Sequence, residues 1–364
     1  MSNSVDQYVK FDKGMTAIVK AFAIIFMITL HSYVRGPYDK AISYDFFINS
    51  GIHGSFKICV GMFTFMVGYG YAFSKTKDWK YSIQHIKKLL TPYWTILFLF
   101  SFPVCLKYVL DNDLITFIYS LFGITDGMDA IYLNYSWFVY FFIFAMIVMP
   151  FISRFVDKRP VRNTMITVIA SLVIGVLYHE IPRFLAFFNI IVPRIAETSL
   201  PLAIFNCILM VPLTVLGYLF AHERYYEKIR INCMPKGLLL LICVCVMVLI
   251  FYVRSYTYSD HNPFNLDFFF APLMIGAIAV LFSAFEWHPV RVVLMKVGEV
   301  SVYMWFFHAL FFTKAVRWFY QPAITIFNDI NLVEVWTIVL TFFASWLIKS
   351  VVDKLIGLAS KHHH

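Results

Sequence analysis

Long apolar stretches alternate with short polar or basic segments along the whole chain. Each stretch approaches the ~20 residues that an α-helix needs to cross the hydrocarbon core of a bilayer. The pattern therefore predicts an all-α fold, a polytopic membrane bundle of about ten transmembrane helices. The predicted spans are residues 14–33, 56–73, 90–109, 136–152, 163–178, 205–221, 237–253, 267–285, 297–315 and 332–351.

Basic residues are unevenly distributed over the segments between these runs. Most of the 30 Lys and Arg residues fall in every second connecting segment and near the two chain ends. Because cytoplasmic loops of membrane proteins are enriched in Lys and Arg, this distribution predicts that both termini are cytoplasmic. The chain then divides into a cytoplasmic N-terminal segment (1–13), an integral membrane domain (14–355) and a C-terminal tail (356–364).

The composition excludes an ordinary soluble domain. Hydrophobic residues make up 60% of the 364 positions and charged residues 14%, and the mean hydropathy is +0.73. The excess of 30 basic over 21 acidic residues lies between the apolar runs, so we expect membrane lipids, and not nucleic acid, as its neighbours. The six cysteines lack metal-site spacing, and the three C-terminal histidines resemble a purification-tag remnant. We therefore expect no metal.

One cation and one imidazole lie inside the first apolar run. Ten residues separate Lys20 from His31, and none of them is charged. In a helix, His31 returns to within about 20° of Lys20 and lies about 16 Å further along the same face. Ionisable groups at membrane depth usually face a bundle interior or a water-filled cavity, so the pair is a candidate site. The structural alternative is that His31 bonds a neighbouring carbonyl while Lys20 extends to the cytoplasmic interface.

The ninth apolar run contains a second imidazole. Ser301 and His308 lie within about 20° on one helical face and about 10 Å apart along it, and Trp305 precedes His308 by about one turn. This arrangement is also typical of a helix-packing patch. Two costly imidazoles in one bundle, His31 and His308, favour function over packing.

Residues 75–94 are strongly basic and are predicted to form a cytoplasmic loop that leads into the third span. His85, Lys87 and Lys88 in this segment are suited to the phosphates of a cytoplasmic cofactor such as coenzyme A. The alternative is that the charges only orient the chain and contact lipid headgroups. Trp137 opens the fourth span, and by its position alone it is an interfacial anchor.

Taken together, these elements resemble the acyltransferase 3 family of integral membrane O-acyltransferases, in particular bacterial members that modify surface polysaccharides. The family's motifs are matched in order by Lys20 and His31, by Val67, Gly68 and Tyr69, by His85, Lys87 and Lys88 before Pro92 and Tyr93, by Trp137, Phe138 and Val139, and by Gly298, Ser301, Trp305 and His308. The sequence departs from the family at three positions that usually carry arginine. Lys20 replaces the arginine of the first span, and His85 and Lys88 replace the two arginines of the basic element. Lysine and histidine lack the bidentate geometry of arginine, which changes how a donor phosphate is held.

The resemblance implies an enzyme that takes an acyl group, usually acetyl, from cytoplasmic acyl-CoA. It implies that the acceptor is a hydroxyl of a surface glycan or lipid-linked sugar outside the bacterial cytoplasmic (inner) membrane. Acyl-CoA is then the donor substrate, no metal is required, and polysaccharide-assembly proteins are candidate partners.

The resemblance also implies roles for single residues. His31 is the expected catalytic residue, either as the general base toward the acceptor hydroxyl or as a transient carrier of the acyl group. Lys20 is expected to belong to the catalytic site with His31, where it holds a donor phosphate or carbonyl or biases the electrostatic field along the tunnel. His85, Lys87 and Lys88 are expected to bind the donor. The supporting residues are Trp137, Ser301, Trp305 and His308.

Two other classes of function remain as alternatives. One is a proton-coupled transporter or flippase of a glycolipid or small solute, in which His31 and His308 relay protons. The other is a non-catalytic membrane subunit that holds a polysaccharide-assembly machine together. An acyltransferase requires acyl-CoA and His31, whereas a transporter shows no dependence on coenzyme A and a scaffold tolerates either histidine substitution.

Overall fold

The structure is a computed structural model that describes residues 6–34, 52–102, 106, 110, 114–124, 137–187, 199–257, 266–285, 287–313 and 316–361. Its α-helices are α1 (Lys13–Val34), α2 (Ile58–Ala72), α3 (Trp79–Phe100), α4 (Leu114–Leu121), α5 (Phe138–Lys158), α6 (Pro160–Phe187), α7 (Ser199–His222), α8 (Lys236–Thr257), α9 (Asp267–Ala284), α10 (His288–Phe312), α11 (Arg317–Tyr320) and α12 (Ile330–Lys361). Short 3₁₀ helices cover Ile52–Lys57, Tyr226–Lys228 and Gln321–Ala323.

The described residues form an all-α membrane protein, as predicted. Within them there is no β-strand, only an isolated antiparallel bridge between Tyr8 and Arg230. Helices long and apolar enough to cross a membrane cover Lys13–Tyr33, Phe138–Lys158, Lys236–Tyr256, Asp267–Ala284 and Ile330–Leu358. The total of ten spans and the cytoplasmic position of both termini stay predictions.

The basic segment over residues 75–94 is helical from Trp79 onward, so the prediction of a loop there is wrong. The Asp78 carboxylate caps this helix by accepting a hydrogen bond of 3.0 Å from the backbone N–H of Tyr81. The helix therefore begins well before the predicted third span. The helix ends at Phe100, and residues 103–105 and 107–109 of the predicted span lie outside the described residues.

Helix α1 lies at the centre of the bundle and packs against α2, α10 and α12. It runs parallel to α10, because Ala17 lies beside Gly298 and His31 lies beside His308. It runs antiparallel to α12, because Thr29 and Tyr33 of α1 donate hydrogen bonds to Glu334 and Asn331. These contacts fix the depth at which side chains of the three helices meet.

Two helix pairs approach so closely that only glycine fits between them. A Cβ atom on Gly298 of α10 would lie 1.9 Å from the Ala17 carbonyl oxygen of α1. In the same way, a Cβ on Gly68 of α2 would lie 1.7 Å from the Thr214 carbonyl oxygen of α7. Small residues at such crossings let helix backbones pack closely in membranes. The α1–α10 contact is the one that positions the candidate site.

A buried ion pair joins α8 to α9. The Arg254 guanidinium donates to both carboxylate oxygens of Asp267 at 2.7 and 2.8 Å, and also to the Gly54 carbonyl oxygen at 2.8 Å. Both side chains are almost completely buried. Because the pair is bidentate and contacts a third segment, it holds three parts of the chain together. Sequence reasoning did not identify it.

The described part of the N-terminal segment packs onto the bundle. Val9 and Ile231 make backbone hydrogen bonds of 3.0 and 2.8 Å that join residues 7–9 to residues 229–231. Phe11 is buried and stacks on Tyr226 with a centroid separation of 4.9 Å. The segment before α1 is thus attached to the turn that follows α7.

Candidate active site

The two intramembrane histidines meet directly. The His31 Nδ1 atom lies 2.7 Å from the His308 Nε2 atom, which is a normal hydrogen-bond distance. Both side chains are buried, and their ring planes differ by only 7°. The parallel course of α1 and α10 brings them together from positions 277 residues apart in sequence. This contact was not predicted, although both residues were predicted to belong to the site.

The backbone of α10 fixes the tautomers of the pair. The His308 Nδ1 atom lies 3.1 Å from the Met304 carbonyl oxygen, and a carbonyl can only accept, so His308 carries its proton on Nδ1. Its Nε2 atom then accepts a hydrogen bond from the Nδ1–H of His31. In the neutral pair, the Nε2 atom of His31 is therefore the unprotonated nitrogen, and it is the atom suited to take a proton.

Aromatic rings surround the histidine pair and the helix turn before it. The Phe312 ring lies 6.3 Å from both imidazoles. One turn earlier, the buried Trp305 ring packs between Phe63 at 4.7 Å and Phe138 at 4.6 Å. These rings lower the local polarity and thereby strengthen the hydrogen bonds of the pair.

Two further predicted residues lie close to this region without touching the imidazoles. Trp137 contacts the aromatic group through Phe138, with a centroid separation of 6.0 Å. The Ser301 hydroxyl is buried and has no hydrogen-bond partner in the part of the chain that the structure describes. Ser301 shares the α10 face that carries Gly298 and His308, so it is directed toward α1.

A second group, which we call the cation cluster, contains Lys20, His85 and Lys88. Burial in the first turns of α3 lowers the pKa of His85 below its ordinary value, and the positive charges of Lys88 and Lys20 lower it further. Both ammonium groups are thus within electrostatic range of the imidazole. Among the described residues, no acceptor or carboxylate pairs with the Lys20 ammonium. Like charges brought together in this way create a site for an anion.

The tautomer of His85 is also fixed by the backbone. Its Nδ1 atom donates to the Tyr81 carbonyl oxygen at 2.9 Å, and its ring stacks on Tyr81. Because its pKa is lowered, free His85 is neutral at neutral pH, and its Nε2 atom can take a proton when an anion binds. His85 can therefore act as a cationic partner of a phosphate only when the anion is bound.

Lys87 is not part of the cation cluster. It lies about 160° around α3 from His85, whereas Lys88 lies about 60° from it. Lys87 is exposed, and the positive charges that lower the pKa of His85 do not include Lys87. Its role as a donor-binding residue stays a prediction that the geometry does not support.

Sequence reasoning missed the polar face of α12. Glu334 accepts the hydrogen bond of Thr29, two residues before His31. Thr337, Thr341 and Ser345 follow on the same face and are completely buried. Their signal is present in the sequence, since three hydroxyl residues at four-residue spacing in an apolar run mark one helical face.

The helical bundle and its buried imidazole pair define a multi-pass membrane protein with a polar site at membrane depth. Comparison with known protein families matches residues 17–350 to the acyltransferase domain of the acyltransferase 3 family. This match covers nearly the whole chain, and the protein therefore belongs to that family and is a membrane acyltransferase. No curated protein and no solved structure matches the chain.

Proposed function

We propose that this chain transfers an acetyl group from cytoplasmic acetyl-CoA, or another acyl group from its acyl-CoA, to a hydroxyl of an extracytoplasmic polysaccharide or lipid-linked sugar. The reaction takes place in a bacterial inner membrane, with about ten spans and both termini cytoplasmic. The observation that carries the proposal is the hydrogen-bonded pair of His31 and His308, whose tautomers leave a basic nitrogen on His31.

The cation cluster supports an anionic donor. Coenzyme A carries phosphate groups, and Lys20, His85 and Lys88 supply cationic donors for them. Lys20 lies about 16 Å along α1 from His31, so phosphates at the cluster and an acyl group at the imidazole pair fit one elongated molecule. Because lysine and histidine stand where the family usually has arginine, we expect single hydrogen bonds to the phosphates at these positions and no bidentate contacts.

The proposed step is direct transfer with His31 as the general base. The Nε2 atom of His31 takes the proton from the acceptor hydroxyl, and the oxygen forms a bond to the thioester carbonyl carbon. The carbon–sulfur bond then breaks, and the thiolate of coenzyme A leaves with the proton that His31 carried. His308 accepts the Nδ1–H of His31 throughout and thereby stabilises the imidazolium that forms in the first step.

The alternative chemistry uses the same nitrogen. If the Nε2 atom of His31 attacks the thioester itself, the acyl group is carried on the imidazole before the acceptor hydroxyl displaces it. The two routes differ in one observable, because only the second forms an acyl-protein without an acceptor. The proposal takes direct transfer as the main route.

The test uses purified protein in detergent with radiolabelled acetyl-CoA and a soluble sugar acceptor. We expect wild type to bind acetyl-CoA saturably and to release coenzyme A. His31→Ala should bind it equally well and lose about a hundredfold to ten-thousandfold in turnover, the range for a positioned general base. The matched control is His222→Ala, because His222 lies at the end of α7 and pairs with Glu223, away from the imidazole pair.

Each outcome has a clear meaning. Equal turnover by His31→Ala and wild type would remove His31 from the chemistry. A wild-type protein that binds no acyl-CoA of any chain length would overturn the enzyme proposal in favour of transport. Label retained on the protein after denaturation, without an acceptor, would replace direct transfer by the acyl-carrier route. We also propose that polysaccharide-assembly proteins deliver the acceptor, which co-purification with such proteins tests.

A further inference from the structure

Several buried hydroxyl groups have no hydrogen-bond partner among the described residues, and three of them lie on α10 and α12. They belong to Ser301 of α10 and to Thr341 and Ser345 of α12, which we call the hydroxyl cluster. Each side chain is at most 1% exposed. Within the described part of the chain, nothing donates to them or accepts from them. A buried hydroxyl that lacks a partner is unfavourable, and most buried polar groups have one.

Other hydroxyls in the same helices are satisfied by their own backbone. Thr337 lies one turn before Thr341 and donates to the Val333 carbonyl oxygen at 2.7 Å. Thr313, which directly follows α10, donates to the Ala309 carbonyl oxygen at 2.7 Å. Such bonds to the preceding turn are available to any Ser or Thr in a helix. The three members of the hydroxyl cluster do not make them, so their oxygens are directed elsewhere.

The helix contacts place the hydroxyl cluster at the depth of Lys20. Thr29 of α1 contacts Glu334 of α12, and the two helices are antiparallel. Lys20 precedes Thr29 by nine residues, so it lies at the level of the residue nine positions after Glu334, which is residue 343. This level lies between Thr341 and Ser345, about 3 Å from each along the axis. On α10, the Ala17–Gly298 contact places Ser301 at the same level as Lys20, since both follow the contact by three residues.

The hydroxyls also point toward the same interior. Thr341 and Ser345 lie about 20° to either side of Glu334 around α12, and Glu334 faces α1. Ser301 shares its α10 face with Gly298 and His308, which both contact α1. Lys20 itself projects from α1 and has no partner among the described residues. The three hydroxyls thus lie at the level of the Lys20 backbone. Side chains lean toward the N-terminus of their own helix, so the Lys20 side chain extends from this level toward His85 and Lys88, whereas Thr341 and Ser345 on the antiparallel α12 lean toward the imidazole pair.

We propose that the hydroxyl cluster binds the pantetheine arm of the acyl-CoA donor. This inference rests on the proposed function and adds a subsite to it. The arm carries a hydroxyl and two amides, and serine and threonine hydroxyls can donate to an amide carbonyl and accept from an amide N–H. The arm has about twelve bonds between pyrophosphate and sulfur, or about four residue lengths, and therefore extends about 14 Å. This length is close to the ~16 Å between Lys20 and His31.

The cluster therefore meets the part of the arm that follows the phosphates. It would give the three hydroxyls the partners that the described residues do not supply. It would also explain how a polar arm passes through an apolar bundle, because the arm exchanges water for fixed hydroxyl partners. A ligand that ends at the phosphates would not reach the cluster.

The experiment compares two ligands by calorimetry on purified protein. Acetyl-CoA contains both phosphates and pantetheine arm, whereas adenosine 3′,5′-bisphosphate contains phosphates without the arm. Thr341→Val and Ser345→Ala should each weaken acetyl-CoA binding about fivefold to tenfold, as expected for one lost hydrogen bond, and leave bisphosphate binding unchanged. Lys20→Gln should weaken both ligands. Thr337→Val is the matched control, because its hydroxyl is already bonded to its own helix.

The outcomes separate the subsite from the proposed function. Acetyl-CoA affinity equal to wild type in both hydroxyl variants, with wild type binding normally, overturns the subsite and leaves the enzyme proposal standing. A matching loss in Thr337→Val shows a packing effect and likewise overturns it. Thr341→Ser should restore affinity, and its failure to do so counts against the inference. Absence of acetyl-CoA binding in wild type overturns both proposals.

Discussion

Near its C-terminal end, α1 presents His31 to another imidazole at 2.7 Å, and nearer its N-terminal end it carries Lys20 within electrostatic range of His85. The imidazole pair has its hydrogen bonds fixed within the protein and is surrounded by aromatic rings. The cation cluster contains groups of like charge, and Lys20 has no partner among the described residues. The first arrangement is prepared for chemistry on a neutral group, whereas the second gains its partner from an anionic ligand.

The difference shows how one helix can serve two functions. Groups that must keep one protonation state are held by the backbone, as the Met304 carbonyl holds His308. Groups that must bind charge remain incompletely neutralised until the ligand is present. Substitutions at the two ends of α1 should therefore affect different kinetic parameters, with turnover depending on the imidazole pair and donor affinity on the cation cluster.

The largest effect is expected when the second imidazole of the pair is removed. His308→Ala removes the acceptor of the His31 Nδ1–H, so the tautomer and orientation of His31 are no longer fixed, and kcat should fall about a hundredfold with little change in KM. His308→Gln retains a side-chain carbonyl acceptor and should recover part of the loss. Steady-state kinetics with acetyl-CoA measures both variants. Equal kcat in His308→Ala and wild type would show that His308 does not position His31.

A smaller effect is expected at the cation cluster. Lys20→Gln removes a charge-assisted contact to phosphate and should raise KM for acetyl-CoA about tenfold to a hundredfold, with kcat at saturation nearly unchanged. The matched control is Lys87→Gln, a lysine on another face of α3, for which we expect less than about a twofold change. If Lys87→Gln raised KM as much as Lys20→Gln, the donor would extend over the whole basic segment.

The smallest expected effect is a change with pH. Burial and the charges of Lys88 and Lys20 lower the pKa of free His85 below its usual 6.5. A bound phosphate favours the protonated form, so donor binding takes up a proton. Affinity due to His85 should therefore rise a few-fold as pH falls from about 7.5 toward the lowered pKa. Calorimetry measures the affinity for the donor across this pH range in wild type and in His85→Gln. The variant accounts for titration of the ligand phosphate, so the difference between the two curves is due to His85. Parallel curves for the two proteins would exclude His85 from binding.

The apolar periodicity was sufficient to predict the class of fold. Every predicted run that the structure describes contains helix, because backbone groups at membrane depth must be satisfied within the segment. The start of α3 at Trp79 was missed because its first turns are amphipathic and basic, and the Asp78 cap depends on local geometry. The Arg254–Asp267 pair was missed because its members lie on different helices, and sequence spacing does not show which charges meet.

The candidate site was predictable residue by residue but not as contacts. Spacing along one helix indicated that Lys20 and His31 share a face, and that Ser301 and His308 do. The 2.7 Å contact between His31 and His308 depends on how α1 crosses α10, which no spacing in either helix reveals. Whether the Thr341 and Ser345 hydroxyls find a partner among the described residues likewise depends on the orientation of α12. Periodicity defines faces, and tertiary packing decides which faces meet.

The glycine at the α1–α10 crossing would be misleading in a large-scale mutational survey. Any side chain at position 298 would meet the Ala17 backbone at under 3 Å and push the helices apart. His308 lies about 15 Å further along the same helix, so a small change of separation or angle at the crossing becomes a displaced imidazole. Such a survey would rank Gly298 with the residues that perform the chemistry, although its role is to set the spacing that they need.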